Sequence, residues 1–376
     1  MKEKLVIKNF GPIKSVELEL GRFNVLIGEQ GTGKSTVAKL LTGLRSTFFI
    51  DLFNVTDDET INRETQLFFE HLKLVEIQNY FYDNTEIQYL CELYSLELKN
   101  KMVIIKKRRE PLLEESLYNN LNYIPAERIL VTTLANSLFA LIETGTSLPK
   151  LFLRFGDKFQ KARKEQTSFD YTNILGIKYI YKDNKDIIIL PSGKEIPTQD
   201  ASSGIQGSVS LLTVFNSITG HGRIKHSHFQ NSDKLVGYLI IEEPELSCFP
   251  ETQHKLLKHI SKEIAIKEDF GKVYYKYRLL ITTHSPYILT SLNNMMYAYK
   301  IGQLYNDEAD KIIEKKYWIN PDDVSVYMML PNGECEDIFD REEGMIKAEK
   351  IDEVSRKLNS QFDLLQDIEL GINEDK

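Results

Sequence analysis

The chain has 376 residues, 42% hydrophobic and 27% charged, which is enough apolar material for one large domain or two smaller ones in a soluble globular protein. A net charge of −8 excludes a global field that would pull it onto nucleic acid, leaving only a local basic face for such contact. Cys91, Cys248 and Cys335 lie far apart without C-x-x-C or metal-like spacing, no leader precedes Leu5-Val6-Ile7, and no run approaches the roughly 18 apolar residues of a membrane span, so the cytoplasm is the expected compartment.

Residues 4–27 read as strands: KLVIKNF, a Gly11-Pro12 turn, and VELEL with Val16, Leu18 and Leu20 alternating against Glu17 and Glu19. Phe23–Ile27 is a short apolar run that enters Gly28-Glu29-Gln30-Gly31-Thr32-Gly33-Lys34-Ser35, a match to G-x-x-x-x-G-K-[ST] at every fixed position. A helical pattern with Val37, Leu40, Leu41 and Leu44 on one face follows at once. Strand, glycine loop and helix together make a phosphate site. The glycines let successive N–H groups point inward, the helix N-terminus adds partial positive charge, Lys34 bridges the β- and γ-phosphates, and Ser35 offers its hydroxyl to Mg²⁺.

Residues 45–125 are less readable. Thr65–Glu76 has helical spacing, and Tyr89–Lys107 reads as a hairpin through Lys99-Asn100-Lys101. Heptads are not sustained, so no long coiled-coil arm is expected. Lys106-Lys107-Arg108-Arg109, with Lys99 and Lys101, is the densest basic cluster and reads as a solvated strand edge in preference to a nucleic-acid contact, since no aromatics are interleaved. NYIPAER (122–128) opens a helix over Ile129–Glu143, with Arg128 open between a phosphate contact and a carboxylate pair.

Residues 174–198 alternate like strands around Asp183-Asn184 and Ser192-Gly193 turns. Ser202 and Ser203 sit at the cap of a helix that buries Val209, Leu212, Val214, Phe215 and Ile218. Leu235–Ile241 reads as a central strand ending in Glu242-Glu243-Pro244-Glu245, carboxylates that are costly at a buried strand end unless a cation or proton traffic uses them. Leu279–Thr283 is a second such strand, ending in Thr282-Thr283-His284-Ser285-Pro286, where His284 would share the sheet edge with the glycine loop. Met295–Ile301 and Tyr317–Ile319 read as strand-like, and Met345, Ala348, Ile351, Val354 and Leu358 give the tail helical spacing.

Taken in order, Gly28–Ser35, Ser203-Gly204-Ile205-Gln206, Glu242-Glu243-Pro244-Glu245 and His284 resemble the Walker A, signature, Walker B with D-loop, and switch-histidine series of ABC-type ATPases. The resemblance covers roughly residues 1–44 and 200–300. The signature departs from that pattern, reading SSGIQ for LSGGQ, and Walker B ends Glu-Glu where the pattern has Asp-Glu. EEPEL, TTHSPYIL and NYIPAER look like the cytosolic ATPases of the OLD (overcoming lysogenization defect) and SMC-related group, many of which serve in antiphage defence beside a second gene for a nuclease or another toxic effector.

The resemblance implies an α/β head: a central mostly parallel sheet, an N-terminal antiparallel β subdomain and an inserted mixed helical/β lobe. It implies a nucleotide-binding core over 1–44 and 200–301, the lobe over 45–199 and a C-terminal extension over 302–376. It further implies a homodimer, or a higher homo-oligomer, that closes head to tail around two ATP molecules. Gly28, Glu29, Gln30, Gly31, Thr32, Gly33, Lys34, Ser35 and Thr36 would hold nucleotide from one copy, and Ser203, Gly204 and Gln206 from the other. Ser35 and Glu242 would hold Mg²⁺, Glu243 would activate water, and His284 would contact the γ-phosphate. The implied partner is a separately encoded effector, with DNA left open and no membrane. A DNA-repair or chromosome-organising ATPase and an OLD-like self-contained nuclease are the alternatives, and a transport motor is disfavoured by EEPE and THSP.

Overall fold

The computed structural model describes residues 3–45, 60–108, 121–134, 145, 147–225, 236–264, 268–269, 272–273, 276–347, 350 and 359–366. Alternation builds the first strands: in β1 (Glu3–Phe10) and β2 (Ile13–Leu20), Leu5, Ile7, Val16, Leu18 and Leu20 share a buried face while Glu17 and Glu19 meet solvent. β3 (Phe23–Gly28) is buried on both faces, with Val25 in one core and Leu26 in the other. There follow α1 (Lys34–Leu44), α2 (Thr60–Leu72), β4 (Phe81–Leu90), β5 (Tyr94–Lys99), β6 (Met102–Lys107), β7 (Leu121–Ile124), α3 (Ile129–Thr133) and α4 (Lys150–Glu165). Next come β8 (Ser168–Tyr171), β9 (Ile177–Lys182), β10 (Lys185–Ile189), β11 (Glu195–Pro197), α5 (Ser203–Lys225), β12 (Val236–Glu242) and α6 (Pro250–Ile264). The chain then forms β13 (Lys276–Thr283), α7 (Pro286–Gly302), α8 (Asn306–Ile312), β14 (Val324–Met329) and β15 (Cys335–Asp337).

The fold is the expected mixed α/β one. The central sheet runs β15-β14-β3-β13-β12-β7 and is parallel except for β15. One of its faces packs with α4–α7 and the antiparallel sheet β11-β10-β9-β8, and the other with α1, α2 and the N-terminal antiparallel sheet β2-β1-β4-β5-β6. Each fully buried Leu or Ile in these two cores contributes about 1.5–3 kcal/mol.

The expected segment boundaries do not coincide with these sheets. Residues 81–107 give β4–β6 to the N-terminal sheet and 121–124 give β7 to the central sheet, so 45–199 is not a lobe apart. β14 pairs with β3, so the central sheet extends past residue 301. Met295–Ile301 lies inside α7, which starts where the Ser285 side chain caps Tyr287 N–H and Pro286 supplies a preset φ. Ile288, Leu289, Leu292, Met295 and Met296 bury one side of that helix, a pattern that the short window disguised as a strand. Tyr317–Ile319 is not a strand, because Lys315–Tyr317 forms a 3₁₀ turn. Met345 pairs in a short strand with Asp340, while Ala348, Ile351, Val354 and Leu358 lie outside the described residues, as do 135–144 of the helix expected to reach Glu143. β6 is an edge strand on which Lys106 and Lys107 are exposed, and before it Lys99 at the end of β5 pairs with Glu86 at 3.1 Å and Lys101 in the turn with Asp83 at 2.6 Å; Arg109 lies outside the described residues.

A buried ionic cluster joins the two sheets at the C-terminal end of α1. Arg45 donates from Nε to Glu3 Oε1 (2.8 Å) and from Nη2 to Glu3 Oε2 (2.7 Å), and it lies over the Tyr238 ring. Tyr89 donates to the same carboxylate, and Tyr94 donates to Leu44 O at the helix end. Burial alone would raise the Glu3 pKa, but the Arg45 charge and the hydrogen bonds from Arg45 and Tyr89 outweigh it and hold the carboxyl below its ordinary value. The pair's stabilisation is therefore complete above the unfolded pKa and is lost as pH falls through the lower folded one. Glu3→Ala, which strands a buried guanidinium, should cost about 3–5 kcal/mol, read as a lowered urea midpoint at pH 7.

Candidate functional site

Parallel register gathers the site at one sheet edge. Ile27 stands beside Thr283 and Glu242 beside Thr282, so the chain leaves β3, β13 and β12 at Gly28, His284 and Glu243 side by side. Asn24 locks the start of β3, accepting from Gly21 N–H and donating to Gly21 O and Leu279 O. The glycine loop then turns through Gly33 at φ 95°, a left-handed conformation that glycine adopts without strain, and α1 begins at Lys34. Thr32 braces the loop by donating to Glu29 O at 2.8 Å, while Glu29, Gln30, Gly31 and Ser35 are exposed.

Lys34 is folded into the loop, donating from Nζ to Gly28 O and Glu29 O at 2.8 Å each. Burial lowers its pKa to about 8 against the opposing pull of Glu243, Glu245 and Glu242. Its Nζ is 3.5 Å from His284 Nδ1, and His284 Nε2 is 3.3 Å from Glu243 Oε1. Lys34, His284 and Glu243 therefore form one chain of polar groups across the edges of β3, β13 and β12. Glu245 is the support that the sequence reading left without a role: its Oε1 accepts from Thr283 Oγ1 (2.6 Å) and from His284 N–H (2.8 Å). Burial raises the Glu245 pKa against those hydrogen bonds. Glu242 is buried, and its Oε1 has no hydrogen-bond partner among the described residues; that oxygen fits a cation's hydration shell. Glu243 adopts φ 43°, a strained conformation for a residue with a side chain.

Ser203, in the signature segment, is exposed at the start of α5, and among the described residues no hydrogen bond joins Ser203 or Gly204 to residues 28–36. A Cβ at Gly204 would come within 2.3 Å of Ser247 O, so only glycine allows this approach to the loop after β12. Gln206 is turned inward: it accepts from Thr133 Oγ1 (2.9 Å) and donates to Ala201 O (2.8 Å) and Gln199 O (3.1 Å), so in this structure it holds its own chain together. Ile205 packs against the core where the signature pattern has a second glycine.

Sequence reasoning missed what Arg128 does. It is 0% exposed, and its guanidinium donates to the carbonyls of Pro125, Gly207, Glu242 and Glu243. The signal for this was the position of Arg128 just after a short apolar strand, which could not name carbonyl partners distant in sequence.

A family model described as an AAA ATPase domain matches residues 1–148 and 142–289, most of the chain. The chain belongs to that AAA ATPase family. It is an ATP-hydrolysing enzyme. No curated protein matches the chain. Among solved structures, it is similar to an SMC head bound to the C-winged helix domain of ScpA (13% identity, 77% of this chain and 91% of that one, TM-score 0.41). Others are the SMC head domain from Thermotoga maritima (11%, 77% and 91%, 0.38) and the recombination mediator protein RecF (11%, 90% and 98%, 0.41).

In this ATPase, ATP affinity should be level up to about pH 8 and fall above it, as free Lys34 loses its proton. Lys34→Ala should bind ATP weakly with no such step, as read by titration of a fluorescent ATP analogue. Glu243→Gln should retain binding and slow hydrolysis at least about a hundredfold, measured as phosphate release.

Proposed function

We propose that this ATPase closes as a head-to-tail homodimer around two ATP molecules and that closure controls a separately encoded effector, a nuclease or toxin, in antiphage defence. The observation that carries this reading is Ser203, exposed at the start of α5 and, among the described residues, without a hydrogen bond to the glycine loop of its own chain. A hydroxyl and free amides at an exposed helix N-terminus suit a phosphate, and a second copy brings one. Phe249, 76% exposed in the loop that contacts Gly204, gives the same surface an apolar side chain to cover.

Hydrolysis follows from the residues at the sheet edge. Lys34 exchanges the Gly28 and Glu29 carbonyls for the β- and γ-phosphates. Glu243 takes a proton from water as its oxygen bonds to the γ-phosphorus, and the bond to the β,γ-bridging oxygen breaks to release ADP. His284, held through its backbone by Glu245, faces the γ-phosphate. Ser35 and Glu242 are the groups that would hold hydrated Mg²⁺, whose charge would neutralise the phosphates. Leu304, Tyr305 and Ile312 expose apolar side chains around the start and end of α8, a surface for the effector to cover.

The purified protein should hydrolyse ATP yet leave DNA and RNA intact in Mg²⁺ or Mn²⁺, and phage protection in cells should require a second gene. Light scattering should find an ATP-dependent dimer in Glu243→Gln that Ser203→Arg prevents. Nucleic-acid cleavage by the lone chain would favour the self-contained nuclease instead. Sensitivity to DNA damage on gene loss, with phage resistance unchanged, would favour the repair or chromosome reading.

A further inference from the structure

Arg128 joins two parts of the chain that lie far apart in sequence. Nε donates to Gly207 O in the first turns of α5 (3.2 Å), Nη1 to Glu242 O (2.7 Å) and Pro125 O (3.1 Å), and Nη2 to Glu243 O (2.6 Å). Ser210 reinforces the junction, donating to Gly207 O at 3.0 Å. A planar guanidinium spans these carbonyls with one rigid fork, which the single ammonium of lysine cannot reproduce. Among the described residues no carboxylate lies within ion-pair distance of Arg128, so all its bonding goes to main chain. Two of those carbonyls flank the strained peptide: Glu243 sits at φ 43°, with its N–H bonded to Thr282 O at 2.8 Å and its C=O to Arg128. Such a conformation is costly and persists only where its surroundings hold it from both sides.

We propose that Arg128 is a positioning residue that holds the Glu243 peptide in its left-handed conformation and couples it to the start of α5, so that movement of the Ser203 end resets the water-activating carboxylate. The proposal rests on Glu243 being the base. A guanidinium that served the fold alone would affect melting and leave turnover per folded molecule unchanged.

Arg128→Lys should therefore lower kcat on the order of a hundredfold, the scale of an ångström-sized misplacement, with KM for ATP within about twofold of the parent. In a Glu243→Gln background, Arg128→Lys should slow hydrolysis no further, because both changes remove the same positioned group. An unchanged kcat with a lowered Tm overturns the proposal, as do losses that multiply in the double variant while Glu243→Gln alone is slow. Normal turnover by Glu243→Gln overturns the base assignment, and the proposal with it. Hydrogen exchange on the unaltered protein gives a measure that needs no buried substitution. A non-hydrolysable ATP analogue should change protection of 203–209 and 242–246 together, and a change in one segment alone overturns the coupling.

Discussion

Everything at the site depends on the register of three parallel strands. With Leu26 beside Thr282 and Thr282 beside Glu242, the strand ends are level, and the residues after them meet at one edge. Side chains alternate with a period of two, so a one-residue slip of β12 would turn Ile241 out of its core and drive Glu242 toward an apolar face. An unpaired carboxylate there costs several kcal/mol, which makes the functional register also the stable one. The same apolar runs that bury β3, β12 and β13 on both sides therefore align the chemistry, with no separate device needed to aim it.

The edge is polar, crowded and internally satisfied except at chosen atoms. Lys34 is paired with carbonyls that accept no proton and carry no net charge, so an anionic phosphate competes for it on favourable terms. Its lowered pKa records the same fact, since burial among neutral dipoles disfavours the ammonium despite three nearby carboxylates. Among the described residues, Glu242 Oε1 and Glu245 Oε2 are the buried carboxylate oxygens left without hydrogen-bond partners. Glu245 thus spends one oxygen on orienting Thr283 and His284, which explains why three carboxylates share so short a stretch.

The parts legible in the sequence were those whose chemistry is local. The glycine loop, the alternation of β1 and β2, and the apolar runs of β12 and β13 are all decided within a few residues. Long-range pairing was not legible. β4 joins β1, and β14 joins β3, across gaps that carry no periodic signal, so segment boundaries drawn from motif spacing cut through both sheets. Met295–Ile301 misled because a helix buried over much of its surface looks, in a short window, like a buried strand. Arg128 was undecidable for a related reason: its partners are main-chain carbonyls, which every residue has and no sequence pattern marks.

The loop after β12 gives that undecidable residue its significance. Gly204 lies too close to Ser247 O to admit a side chain, so α5 meets this loop directly, and Arg128 fastens the same helix to the carbonyls at the loop's start. Glu243 is thus gripped at its N–H by β13, at its carbonyl by Arg128 and at its carboxylate by His284, whose other ring nitrogen faces Lys34. A displacement at the exposed end of α5 has no slack in which to dissipate before it reaches that residue, because close-packed junctions shift between discrete arrangements more readily than they deform. The energy stored in the left-handed Glu243 peptide is of the same order as a few hydrogen bonds, which is the scale on which contacts made by a bound phosphate can decide between two such arrangements.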